Sequence, residues 1–112
     1  MDSFPEGLIA VVKKECPTCS LIEPVFGEIA SADLPFTVYT QDEPSFPSGL
    51  ANVVDDTDLE RSYHLNVEAV PTLIRVENGS EVERTVGWHR EEWEAFTGLS
   101  KLGEGLPGFR PG

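Results

Sequence analysis

Two closely spaced cysteines are the side chains in this sequence best suited to chemistry. Cys16 and Cys19 enclose Pro17-Thr18, after the apolar run Leu8–Val12 and ahead of a helical pattern. At a helix start, free backbone N–H groups and the macrodipole favour a thiolate, so we expect an exposed Cys16 with a lowered pKa. A second thiol one helical turn away can resolve a mixed disulfide, which predicts dithiol exchange without a cofactor.

The same cysteine spacing also occurs in two other kinds of site. Half of a zinc site has it, but the sequence offers only His64 and His89 to complete a four-ligand set, so we expect no metal. A structural disulfide has it too, although closing so small a loop gains little in the chain-entropy model. Both alternatives stay open at the level of the motif.

The charge balance limits the classes of partner. Twenty acidic against eight basic residues give a formal charge of -12, which repels nucleic acids and anionic membranes, so we expect neither as a partner. No apolar run is long enough to span a bilayer, and Met1–Glu6 lacks a secretory signal pattern. We expect a cytoplasmic monomer.

The chain length of 112 residues suits one domain, and its first half predicts a β-α-β unit. Leu8–Val12 has the composition of a central strand buried on both faces. A helix follows over residues 17–31 with a kink at Pro24, and a second strand over residues 34–39. Residues 41–54 predict a long loop, either a passive insertion or a partner surface built around Phe46.

The second half predicts a helix, a hairpin and a closing helix. Asp55, Asp56 and Asp58 are capping candidates for a short helix through Leu59, Tyr63 and Leu65. Asn78-Gly79 predicts a tight turn between strands at residues 72–76 and 81–86, followed by a helix around Trp93. We expect a domain over residues 1–99 and a Gly/Pro-rich tail over 100–112, acting as a linker or arm outside the core.

Three segments together resemble the thioredoxin superfamily. The first is CPTCSLIEPVFGEIA at residues 16–30, with its internal proline; the second is Val70-Pro71-Thr72; the third joins Asn78-Gly79 to Val86-Gly87. The resemblance implies a three-layer α/β/α fold around a mixed sheet of about four strands. The first strand and helix of thioredoxins proper would be reduced or absent.

The resemblance also implies residue roles. Cys16 would be the nucleophile and Cys19 the resolving thiol, in an environment set by Glu15, Pro17 and Thr18. Pro71 would follow a cis bond and form a wall of the site. The substrate-binding residues would be Val70, through its backbone, with Pro71, Thr72, Gly87 and Trp88.

Three positions depart from the family pattern. Ala10 stands where thioredoxins usually bury an aspartate that helps to deprotonate the resolving cysteine. Glu15 replaces the usual tryptophan before the nucleophile, and a neighbouring acid opposes thiolate formation. Trp88 either supplies the missing aromatic flank or packs in the core.

Two functions remain as hypotheses at this point. The first is a thiol-disulfide oxidoreductase that reduces disulfides in protein substrates and is itself reduced by an upstream thiol reductase. The alternative is a redox-sensing or docking module without efficient turnover, favoured by Ala10, the loop at 41–54 and the tail.

Overall fold

The apolar run predicted as a central strand forms β1 (Gly7–Val12). In the computed structural model, which describes residues 4–112, β1 pairs in parallel with β2 (Phe36–Thr40) and antiparallel with β4 (Thr72–Glu77). Its side chains alternate between two apolar clusters, one on each face of the sheet. The prediction of a strand buried on both faces is confirmed.

Two further strands complete a five-stranded mixed sheet. The strand β3 (Val53–Asp55) pairs in parallel with β2, and β5 (Ser80–Val86) pairs antiparallel with β4, giving the order β3-β2-β1-β4-β5. The hairpin prediction is confirmed, since Asn78 and Gly79 both adopt the positive φ of a tight turn. Residues 1–3, part of the stretch predicted to lack a secretory signal, lie outside the described residues.

The segment at residues 41–54 differs from its prediction in two ways. Its end forms part of β3, a strand too short to produce a recognisable period in the sequence. Phe46, considered as a partner surface, is 5% exposed and packs in the core. The segment therefore contributes to the folded unit.

The first helical region is divided in two. The predicted helix over residues 17–31 forms α1 (Pro17–Leu21) and α2 (Glu23–Ala30), which meet at Ile22. Pro24 lies in the first turn of α2, where its missing N–H removes no helical hydrogen bond. The kink predicted at Pro24 is thus a break just before it.

The short helix α3 (Glu60–His64) has its first turn next to the side chain of Asp56. The buried Asp56 carboxylate accepts hydrogen bonds from the N–H groups of Arg61 and Ser62, so its predicted capping role is confirmed. Tyr63, through which this helix was predicted to run, is 79% exposed, and Leu65 just after the helix supplies the core contact. A helix of one turn buries little of its own surface.

The closing helix α4 (Arg90–Thr97) buries Trp93, and the chain then turns back over the molecule. Leu102 is 1% exposed and belongs to the same core cluster as the cysteines. Farther on, β7 (Phe109–Arg110) pairs antiparallel with β6 (Trp88–His89). The prediction that residues 100–112 lie outside the core as a linker is therefore wrong: one apolar anchor and main-chain pairing hold them.

Within residues 4–112, no helix has the length and apolar character needed to cross a membrane.

Candidate active site

The local structure brings the two predicted catalytic thiols together. Cys16 is the extended N-cap residue of α1, and Pro17 takes the first helical position, where its fixed φ suits the helix. The turn that follows allows the N–H of Cys19 to donate to the Cys16 Sγ over 3.4 Å. Both cysteines are free thiols. The two thiols are thus adjacent.

The accessibility of Cys16 differs from the expectation of an exposed nucleophile. Cys16 is 8% exposed and Cys19 fully buried. Burial raises the pKa of the Cys19 thiol far above its ordinary value, and the neighbouring Cys16 adds to the rise, whereas a backbone hydrogen bond from Lys13 opposes it. Cys19 is therefore a neutral thiol at physiological pH.

The predicted prolyl corner lies directly beside the first cysteine. The Val70–Pro71 peptide bond is cis, which confirms that prediction, and the Cys16 Sγ donates to the Val70 carbonyl over 3.5 Å. Thr72 is buried, with its hydroxyl donating to the carbonyl of Ala69, so its side chain stabilises the corner itself. The structure thus joins two distant sequence segments at one site.

Gly87 and Trp88 lie at the end of β5, next to this corner. Gly87 has a φ of +82° and its N–H donates to the Pro71 carbonyl over 2.7 Å. Trp88 is fully buried, stacked edge-on against Trp93, and its indole N–H donates to the carbonyl of Pro107. Trp88 is therefore a core residue rather than an open substrate surface.

The fold agrees with comparisons to known proteins. The chain is 32% identical over 83 residues to an Arabidopsis thaliana protein that carries the name thioredoxin H10. A thioredoxin of Malassezia sympodialis, Mala s 13, superimposes with a TM-score of 0.54 at 21% identity, over 86% of this chain and 73% of that one. The chain is thioredoxin-like in its fold and in the matched part of its sequence.

The extent of these matches differs between the proteins. The match to the Arabidopsis protein covers 73% of this chain, which spans 46% of the length of that relative. No protein-family model matches the chain.

In this thioredoxin-like protein, Thr18, Val70 and Gly87 form a surface beside the cysteines, which we call the groove. A segment of the protein's own chain lies in it. The Thr18 hydroxyl, 3% exposed, donates to the Pro111 carbonyl over 2.6 Å. A Cβ atom at Gly112 would lie 1.9 Å from the Val70 carbonyl oxygen, and one at Gly87 would lie 3.3 Å from the Arg110 carbonyl oxygen. Residues 110–112 thus lie against Thr18, Val70 and Gly87, and Arg110 pairs with Trp88, so they meet four of the positions predicted for the site.

Asp42 is a residue near the site that sequence reasoning missed. Its carboxylate accepts hydrogen bonds from the N–H groups of Lys14 and Glu15, at 2.7 and 3.0 Å, and so fixes the turn that leads into Cys16. Burial alone would raise the pKa of Asp42, but these hydrogen bonds outweigh it and hold the pKa below its usual 3.8. The only sequence cue was its position just after β2.

The predicted environment residue Glu15 is exposed, as is Pro17. Among residues 4–112, no group of three or more His, Cys, Asp or Glu side chains is arranged to hold a metal ion. The zinc hypothesis for Cys16 and Cys19 thus finds no further ligands in the described part of the chain.

Proposed function

We propose that the protein is a thiol-disulfide oxidoreductase that reduces disulfides in protein substrates through Cys16 and Cys19. The observation that carries the proposal is the adjacency of two free thiols, Cys19 N–H to Cys16 Sγ 3.4 Å, beside the Val70–Pro71 corner. A redox role in general terms is also supported by the likeness to thioredoxins.

The chemistry proceeds in two displacement steps. The Cys16 thiolate attacks one sulfur of a substrate disulfide, forming a mixed disulfide and releasing the other substrate sulfur as a thiolate that takes up a proton. Cys19 then loses its proton and attacks the Cys16 sulfur, which releases the second substrate thiol. The substrate gains two electrons and two protons, and the protein is left with a Cys16–Cys19 disulfide.

The surroundings of Cys19 make the second step the demanding one. The thiol must ionise in a fully buried position, and the neighbouring core position Ala10 carries no carboxylate to take its proton. The Val70 main chain would hold an extended substrate segment by strand addition, with little sequence preference. A thiol reductase upstream of the protein would then return the Cys16–Cys19 disulfide to the dithiol.

The direct test is insulin reduction by the wild type, Cys16→Ser and Cys19→Ser. We expect Cys16→Ser to abolish turnover, and Cys19→Ser to accumulate a mixed disulfide that is visible by mass under non-reducing conditions. Equal turnover by the wild type and Cys16→Ser would remove the proposal. Stoichiometric zinc on the purified, reduced protein would favour the metal alternative.

A second candidate function is a redox-sensing or docking module without efficient turnover. The low exposure of Cys16 and the occupied groove favour it. Recovery of the same partner by the wild type and by the double variant Cys16→Ser/Cys19→Ser would support docking that does not need the thiols. Loss of the partner with the double variant would support thiol exchange.

A further inference from the structure

We propose that residues 109–112 form a displaceable strap that occupies the substrate groove and holds the active site closed. An extended segment of a disulfide-bearing protein replaces this strap when it binds. The proposal rests on the proposed function, because it assigns to this groove the role of receiving substrate main chain. It is carried by contacts that residues 102–112 make along their whole path.

The first part of this path is fixed firmly to the domain. Leu102 fills a core position, and its N–H donates to the Glu94 carboxylate over 2.9 Å. The N–H of Gly103 donates to the Glu28 carboxylate over 3.2 Å. A Cβ atom at Gly103 would lie 2.9 Å from the Trp88 ring, so this position holds the chain close against the indole.

Arg90 fixes the same segment from the other side. Its guanidinium donates to three main-chain carbonyls, those of Leu102, Gly103 and Leu106, at 2.7 to 2.8 Å. The guanidinium also lies over the Trp88 ring, 6.0 Å from its centroid. These hydrogen bonds hold the main chain up to residue 106. They therefore determine the position from which the chain runs on into the strap at residue 109.

The strap itself uses the binding mode expected of a substrate. Phe109 and Arg110 pair antiparallel with His89 and Trp88, immediately after Gly87, so main-chain hydrogen bonds align the strap at this edge. The Pro111 carbonyl then accepts the hydrogen bond from Thr18. A peptide from another protein that docks through its backbone would need the same edge and the same hydroxyl.

The end of the strap lies against the group that holds the Cys16 sulfur. The Val70 carbonyl accepts the Cys16 thiol, and the Gly112 backbone packs so tightly on that carbonyl that a Cβ atom would come within 1.9 Å of it. Thr18 and Val70, which flank Cys16, are thus both covered. This accounts for a nucleophile that is 8% exposed.

The contacts of the strap also allow it to be displaced. All four of its residues are exposed on their outer side, and Phe109 is 59% exposed. It is attached by a two-residue strand pair, the bond from Thr18, the edge contact of Phe109 with the His89 ring and the packing of Gly112 on Val70. The chain before it is fixed up to Gly108, whose carbonyl accepts from the Arg90 N–H. Local opening of residues 109–112 therefore breaks the two-stranded pairing of β6 with β7 but disturbs neither the core nor the five-stranded sheet.

The test compares alkylation of the reduced proteins by iodoacetamide, with Cys16 quantified by mass spectrometry. In Gly112→Ala the new methyl group collides with the Val70 carbonyl and lifts the strap. We expect Cys16 to react roughly tenfold faster than in the wild type, the factor that corresponds to about 1.4 kcal/mol, the scale of a single hydrogen bond. The matched control is Gly27→Ala in α2, where a Cβ atom meets nothing within 4 Å. Its rate should equal that of the wild type.

A second variant, Arg90→Met, keeps the aliphatic stem but removes the three carbonyl contacts, and it should also speed alkylation of Cys16. Equal alkylation rates in the wild type, Gly112→Ala and Arg90→Met would overturn the strap. If Cys16 is alkylated faster in these variants while none of the proteins reduces insulin, the strap is supported and the proposed function fails. If insulin reduction depends on Cys16 but alkylation is unchanged, the function stands and the strap fails.

Discussion

At the scale of single residues, the two thiols of this protein differ sharply in their surroundings. Cys16 lies at a helix start and its thiol donates a hydrogen bond to the Val70 carbonyl, whereas Cys19 is fully buried. Because burial raises the pKa of Cys19, only a small fraction of this thiol is ionised near neutral pH. The two steps of exchange should therefore respond differently to pH.

The resolving step should accelerate as the pH rises. A raised pKa means that the thiolate fraction of Cys19 increases about tenfold per pH unit below that pKa, and the thiolate is the attacking species. Single-turnover reaction with an aromatic disulfide that releases a coloured thiolate separates the first release from the second. A second release that stays constant between about pH 7 and 9 would contradict a buried, neutral Cys19.

Asp42 should stabilise the turn before Cys16 in a pH-dependent way. Asp42→Asn replaces a charge-assisted acceptor of two backbone N–H groups, so we expect it to lower the free energy of unfolding by about 1 kcal/mol at pH 7. Since the folded-state pKa is lowered, this stabilisation is present above the unfolded value of 3.8 and is lost as the pH falls through the folded value.

Urea unfolding of the wild type and Asp42→Asn at neutral and acidic pH measures this difference. Asp33→Asn is the matched control, because Asp33 is exposed and its positive φ suits asparagine equally well. A difference between the wild type and Asp42→Asn that persists unchanged at the acidic pH would contradict a role for the carboxylate charge.

At the scale of elements, α3 depends on one buried carboxylate more than on its own sequence. Asp56 is fully buried and accepts from the N–H groups of Arg61 and Ser62 and from the Ser62 hydroxyl, at 2.6 to 3.0 Å. Its own N–H donates to the carbonyl of Thr40 at the end of β2. This residue therefore ties a one-turn helix, which would not form alone, to the sheet.

We expect Asp56→Ala to lower the free energy of unfolding by about 2 kcal/mol, because two N–H groups and a hydroxyl lose a fully buried acceptor. Asp58→Ala is the control, since the exposed Asp58 accepts, within residues 4–112, only from the N–H of Glu60. Chemical denaturation gives both values. Equal losses for the two variants would show that the buried position of Asp56 makes no difference.

At the scale of the whole molecule, residues 100–112 are part of the folded unit. Leu102→Ala leaves a cavity in the core cluster beside Trp88 and Trp93, and we expect a loss of about 3 kcal/mol. Phe109→Ala removes a larger but 59% exposed side chain and should cost less than about 1 kcal/mol. Thermal or urea unfolding compares them, and a Leu102→Ala variant as stable as the wild type would return this segment to the status of a linker.

The features that the sequence alone determined are those set by neighbours along the chain. The run Leu8–Val12 predicted a buried strand, Asn78-Gly79 a tight turn, and Cys16-Pro17-Thr18-Cys19 a helix start with two thiols on one side. The cis bond before Pro71 followed from the resemblance. The strand, the turn and the helix start depend on local backbone preference or on the hydrophobic pattern, and a single segment of sequence contains both.

Tertiary structure decided the features that depend on partners far away in the chain. The strand β3 exists because β2 offers an edge, and Asp42 matters because the turn before Cys16 lies beside it. The segment 100–112 has the composition of a linker, yet Leu102 and the carbonyls held by Arg90 bring it back over the domain, where it meets Thr18 and Val70. Every residue has a main-chain carbonyl, so no pattern of residue types predicts which carbonyls will accept a hydrogen bond from a distant side chain.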